Sequence, residues 1–159
     1  MRPARLTAGV SSSGMEPKGV LVLLFPFLLS ACESMEMPEA SYSSRSEVVQ
    51  DRAIERGWVP SWLPETARDI HERHDLDTNI SQLTFRFETL GSAELAENCA
   101  PIDRNSAQMP RKVLVDGWPP ELRGAQTVAR FSFHACSGAG SIAYLAVDEE
   151  HKRAYFWNP

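Results

Sequence analysis

Alternation between apolar and polar positions is clearest at Leu83, Phe85 and Phe87, which interleave with Thr84, Arg86 and Glu88. A period of two with one apolar face predicts a half-buried strand. Further strands are expected at KVLV (Lys112–Val115), TVARFSFHAC (Thr127–Cys136), SIAYLAVD (Ser141–Asp148) and AYFWN (Ala154–Asn158). The loop SGAG joins the second of these to the third, and the polar run DEEHKR leads into the last. Ahead of Leu83, ARDIHERHDLDTN predicts a short polar strand and then a turn rich in Asp and Asn. The spacing of Ile70 and His74 permits a helix there instead.

Helical spacing is confined to two stretches. Ser44-Arg45-Ser46-Glu47 places a hydroxyl three residues before a glutamate, as a capping box does. Val48, Val49, Ala53 and Ile54 follow at helical intervals, and Gly57 stands where a helix stops, which predicts a helix over 45–56. Gly91 to Cys99 also reads as helical, with Leu95 and Cys99 one turn apart. Between these elements WVPSWLP breaks the chain around two tryptophans, expected to pack on the sheet. Residues 100–111 read as a loop, and the prolines of WPPELRG (Trp118–Gly124) prevent KVLV from continuing. The fold class expected is α+β: a small antiparallel sheet of about five strands, one covering helix and a short N-terminal helix.

The one long apolar run lies elsewhere. Val20 to Leu29, VLVLLFPFLL, has ten residues including Pro26, about half of the ~20 needed to cross a bilayer as a helix. Basic residues precede it and Leu29-Ser30-Ala31-Cys32 follows, the layout of a secretory signal. That tetrapeptide resembles the lipobox of bacterial lipoproteins. The resemblance implies a diacylglycerol on Cys32, cleavage before it and further acylation of the freed amine; two or more chains make a stable anchor. The alternative is an ordinary signal peptide with an incidental cysteine. Residues 1–31 are then a leader, with a second possible start at Met15. Residues 32–43 are the lipidated cysteine and a flexible tether, which reaches roughly 15–20 Å as a coil, and 44–159 form a single domain.

Composition narrows the partners. At 43% hydrophobic and 23% charged, the chain is not disordered throughout. Residues 1–32 carry Arg2, Arg5 and Lys18 against Glu16, which leaves 13 basic and 20 acidic residues beyond them. The remainder is net acidic, which argues against a nucleic-acid partner. With Cys32 lipidated in an oxidising compartment, Cys99 and Cys136 are left to pair. The bridge would close a loop worth roughly 4 kcal/mol in the chain-entropy model; two buried thiols are the alternative. Strict alternation puts Cys136 on the face of Ser132 and His134, opposite Phe131 and Phe133, which calls for a bulge or for Cys136 to lie in the loop.

The densest set of possible ligands is His71 and His74 followed by Asp75, Asp77 and Asn79. Two imidazoles three apart share one side of a helical turn, but a strand sends them to opposite faces, and no third and fourth ligand stands out. Asp75-Leu-Asp77-Thr-Asn79 copies the first half of a calcium loop, then fails at Ile80 and Arg86, where glycine and glutamate are needed. Gly138-Ala-Gly-Ser-Ile-Ala143 has the letters of a dinucleotide fingerprint, but a strand follows where a helix is required. No cofactor is expected.

Trp58, Pro64, Ala67, Ile70, His74, Asp77, Thr78 and Phe87, with the late WPPELRG and the terminal AYFWN, carry one further resemblance. The pattern resembles small uncharacterised bacterial envelope proteins, head domains named after the YbbD lipoprotein among them. It implies one domain running to the C-terminus and conveys no catalytic residue. The function expected is that of a lipid-anchored envelope protein facing the periplasm, at the outer membrane in preference to the inner. Its domain would be a binding or accessory module for an envelope partner. The alternatives are a hydrolytic or metal-dependent enzyme centred on His71, His74, Asp75 and Asp77, and an inhibitor or immunity lipoprotein.

Overall fold

Seven strands form one antiparallel sheet in the computed structural model, which describes residues 37–123, 129–138 and 141–159. The leader, Cys32, residues 33–36, residues 127–128 of the strand expected over Thr127–Cys136 and residues 139–140 of the SGAG loop lie outside the described residues. In chain order the elements are β1 (Glu39–Ser44), α1 (Arg45–Gln50), β2 (Arg68–Asp75), β3 (Ile80–Arg86), α2 (Ser92–Asn98), β4 (Cys99–Ile102), β5 (Phe131–Gly138), β6 (Ser141–Asp148) and β7 (Arg153–Trp157). Single 3-10 turns occur at Arg104–Ser106 and Pro120–Leu122. Among the described residues no helix is long and apolar enough to cross a membrane.

The spatial order is β1-β2-β3-β7-β6-β5-β4. Two meanders, β1 to β3 and β4 to β7, meet where β3 pairs with β7 from Gln82 opposite Trp157 to Arg86 opposite Arg153. The sheet is thus larger than the expected five strands, and the described residues are mostly β with two short helices. The added strands are the two edges. β1 (EASYSS) buries only Tyr42, and β4 (CAPI) contains Pro101, so neither has the apolar alternation that betrays a strand. β1 also begins at Glu39, within the segment expected to be tether over 32–43.

Both faces of the sheet are covered, which explains the burial of β3 from Ser81 through Phe85. On the first face Ile70, Leu83, Phe85, Leu145, Val147 and Phe156 pack against Val48 of α1 and against Val59, Trp62 and Leu63. On the second face Phe131, Phe133, Tyr155 and Trp157 pack under Val115, Trp118 and Leu122. The two-face arrangement removes the conflict at Cys136 without a bulge. Phe131 and Phe133 enter the second core, while Cys136 enters the first and lies directly opposite Cys99. Cys99 and Cys136 are joined by a disulfide. Because Cys99 opens β4, the bridge ties edge strand to neighbour at the end of α2, where a helix-to-sheet staple was expected.

The helix expected over 45–56 ends at Gln50. Arg52 turns into the left-handed region at φ +59°, and Gly57 follows at φ +76°. The Glu47 carboxylate accepts from the backbone N–H of Ser43 at 2.7 Å and from its hydroxyl at 2.5 Å, so the box closes one residue earlier than its spacing predicts.

KVLV is not a strand. The side chain of Gln82, fully buried on β3, takes the place of a strand neighbour for this segment. Its Nε2 donates to the Lys112 carbonyl at 2.6 Å, and its Oε1 accepts from the Leu114 N–H at 2.7 Å and, more weakly, from Val115 at 3.4 Å. One amide thus satisfies backbone groups that a ladder would otherwise pair, and holds the cover onto the second face. Replacing Gln82 with Ala strands these groups, and we expect a loss of roughly 2–4 kcal/mol in urea unfolding. A change within about 0.5 kcal/mol, the ordinary range for a surface substitution, would contradict this role.

Candidate functional site

The polar strand β2 distributes the sequence-predicted residues and does not gather them. Strand alternation sends His71 to the second face and His74 to the first, where it is buried beside Ile70 and Glu72. Asp75 accepts the backbone N–H groups of Asp77 at 3.1 Å and Thr78 at 3.2 Å, and Asn79 takes φ +56°. These bonds hold the Asp75 carboxyl below its usual range. The calcium-like letters therefore form an Asx turn. Among the described residues no three His, Cys, Asp or Glu side chains converge as a metal site would.

On the first face, Glu72 is 1% exposed and neither carboxylate oxygen has a hydrogen-bond partner in the structure. His74 Nδ1 lies 4.0 Å from Glu72 Oε1 and is likewise without a hydrogen bond. Trp58 stacks on His74 with ring centroids 5.7 Å apart, and the Arg56 guanidinium lies 4.0 Å from the centre of the Trp58 ring. Arg56 is itself held by Asp51, through the backbone carbonyl at 2.7 Å and Oδ2 at 2.5 Å. The Tyr42 hydroxyl donates to the same carboxylate at 2.7 Å. Burial pushes the Glu72 carboxyl up to about 8, with Arg56 opposing and Asp51 reinforcing the shift. Burial also lowers His74, against the opposing pull of Asp75. Both groups are thereby driven towards their neutral forms.

The second face carries the more open site. Val115, Asp116 and Gly117 of the cover border the part of the second face formed by β1 to β3, where the floor is polar. A cleft of about 410 Å³ lies at this boundary, lined by Glu39, Ser41, His71, Thr84, Val115, Asp116, Gly117 and Arg153. Across the β1–β2 pair, Ser41 Oγ and His71 Nδ1 are 2.9 Å apart, which fixes the ring and leaves Nε2 for a ligand. Glu39 is drawn to Arg73 at 3.7 Å, and Arg73 also donates to the Leu114 carbonyl at 3.1 Å, tying the floor to the cover. Of the residues singled out from sequence, only His71 lines this cleft. Asp116 and Arg153 are distant in sequence from it and from each other, and no local spacing connects them. Glu72 had a visible signal, since it stands in the same alternating register as buried Ile70.

The Glu72 geometry fixes a pH dependence. The carboxyl titrates near 4.5 ordinarily and near 8 when folded, so the folded state holds its proton across that interval. Stability therefore falls as pH rises between these values, by up to about 1.4 kcal/mol per pH unit. His74 works in the opposite sense: its folded value lies below the ordinary 6.5, so its contribution is lost as pH falls below that. In urea unfolding followed across this range, Glu72→Gln should remove the decline with rising pH between 4.5 and 8 and keep the loss on acidification below 6.5. An equally steep decline between pH 4.5 and 8 in that variant would contradict the assignment.

Comparison with known proteins addresses the first meander. Among curated proteins nothing matches, and among solved structures nothing matches. The family model of the YbbD head domain matches residues 36–86. That span holds β1, α1, β2 and β3 and ends on the last residue of β3. The second meander, including Arg153, lies outside it. The segment that contributes Glu39, Ser41, His71 and Thr84 to the cleft is similar to the YbbD head domain.

Proposed function

We propose that the chain is a lipid-anchored protein of the bacterial cell envelope, held through Cys32. Its domain is a non-catalytic binding or accessory module facing the periplasm. The observation that carries the binding reading is the polar cleft on the half-covered second face, where groups from β1, β2, β3, β7 and the cover meet. The sequence resemblance to head domains named after the YbbD lipoprotein supports an envelope address, and the YbbD head domain model matches residues 36–86. The leader pattern supports the anchor. The enzyme reading centred on His71, His74, Asp75 and Asp77 needs those groups in one place, and β2 sends the two histidines to opposite faces. An inhibitor or immunity role falls within the same binding class.

The short tether has a consequence for the partner. Only residues 33–38 separate Cys32 from β1, a coil reach of roughly 13–15 Å. The module would thus work close to the membrane surface, with an outer-membrane location preferred. Fractionation tests the anchor: the wild type should sediment with membranes and carry lipid mass on its first residue, and Cys32→Ser should be soluble. Membrane retention of that variant without lipid would overturn it. A pull-down with the full chain, run beside metal analysis, tests the module. A specific envelope partner supports the reading, and stoichiometric metal lost on changing His71 and His74 would replace it with the enzyme reading.

A further inference from the structure

The cleft on the second face contains opposite charges that do not neutralise one another. Arg153 lines it from β7 and Asp116 from the cover, yet neither takes part in an ion pair with any described residue. The other carboxylate, Glu39, is already drawn to Arg73 at 3.7 Å. Arg153 lies two residues before Tyr155 on the same side of β7, and Tyr155 is 4% exposed and held in the second core. Gly117 takes φ +74°, which disfavours other residues, and it stands beside the guanidinium: a Cβ there would make an ordinary contact with Arg153 Nη1 at 4.0 Å. Hydroxyls of Ser41 and Thr84 and the ring of His71 complete a lining in which only Val115 is apolar.

Such a lining matches a small ligand that carries both charges. A guanidinium takes a carboxylate through two parallel hydrogen bonds, and a lone carboxylate takes an ammonium. A purely anionic ligand would meet Asp116 and Glu39, and a purely cationic one would meet Arg153. A volume of about 410 Å³ lies in the range of small-molecule clefts and accommodates an amino acid or a short peptide. We propose that this cleft binds a zwitterionic ligand, a free amino acid or short peptide, with its carboxylate on Arg153 and its ammonium on Asp116. His71 then meets the ligand between the two charges through Nε2. The inference deepens the binding-module reading and rests on it.

The test uses the full chain in detergent, titrated with the dipeptide Ala-Ala and followed by calorimetry. N-acetylated and C-amidated Ala-Ala serve as the discriminating probes, because they require no change to the protein. Each cap should weaken binding by about ten-fold or more, the equivalent of one lost charge-assisted contact. Arg153→Gln should erase the difference between free and amidated peptide, and Asp116→Asn the difference between free and acetylated peptide. Unchanged urea unfolding in both variants would show that the fold is intact. Equal binding of doubly capped peptide, or no heat with Ala-Ala, overturns the inference. If an envelope partner is still captured in the pull-down, the zwitterion assignment alone has failed; if neither binds, the binding-module reading fails with it.

Discussion

The pairing of β3 with β7 is the constraint on which the other features depend. Five consecutive residue pairs, Gln82–Trp157 to Arg86–Arg153, join an N-terminal meander to a C-terminal one. Each meander ends on a strand, β3 or β7, whose second edge only the other meander pairs. Without β7 the edge of β3 exposes a row of unpaired backbone groups, and the apolar side chains of Leu83 and Phe85 lose Ala154 and Phe156 as neighbours. The cleft is assembled across the same seam. Its floor takes His71 and Thr84 from one meander and Arg153 from the other, so the site exists only when the two halves are joined. The family match ends at Arg86, which places its boundary on that seam.

The uneven cover of the second face follows from how little chain is available to make it. The segment from Ile102 to Leu122 packs Met109, Val115, Trp118 and Leu122 over Phe131, Tyr155 and Trp157. It is held by side chains that reach up from the sheet. Gln82 bonds Lys112, Leu114 and Val115, Trp157 Nε1 donates to the Gln108 carbonyl at 2.8 Å, and Arg73 reaches the Leu114 carbonyl. The apolar contacts of the cover lie over β5 to β7, and the remaining floor over β1 and β2 is polar because it meets water. The same economy appears on the first face, where the turns after α1 bring Arg56 and Trp58 over His74 and leave Glu72 buried beneath. A buried carboxyl without a partner is destabilising once ionised. Its protonated form is therefore part of the folded state.

The central strands were legible because burial there leaves a periodic trace. Leu83, Phe85 and Phe87 alternate, and SIAYLAVD matches β6 from end to end. The edge strands were not, since an edge paired on one side and solvated on the other needs few apolar residues, as EASYSS shows. KVLV misled for the opposite reason: Leu114 and Val115 are buried as cover, and their backbone partner is a side chain whose role no local pattern encodes. The cysteine pair was readable from arithmetic and compartment, but the apparent conflict at Cys136 arose from assuming that only one face of the sheet was buried. In the candidate site, His71 was visible as part of a dense polar run. Asp116 and Arg153 were invisible, because the tertiary seam alone brings them to one cleft.

Native-state hydrogen exchange tests the seam most directly. If the β3–β7 pair unites the two meanders, the amides of Gln82 to Arg86 and Arg153 to Trp157 will be among the most protected. They will exchange together, with the free energy of global unfolding. Exchange of residues 39–86 as a separate unit, at lower free energy than residues 131–157, would show that the halves fold independently and contradict a site built across them.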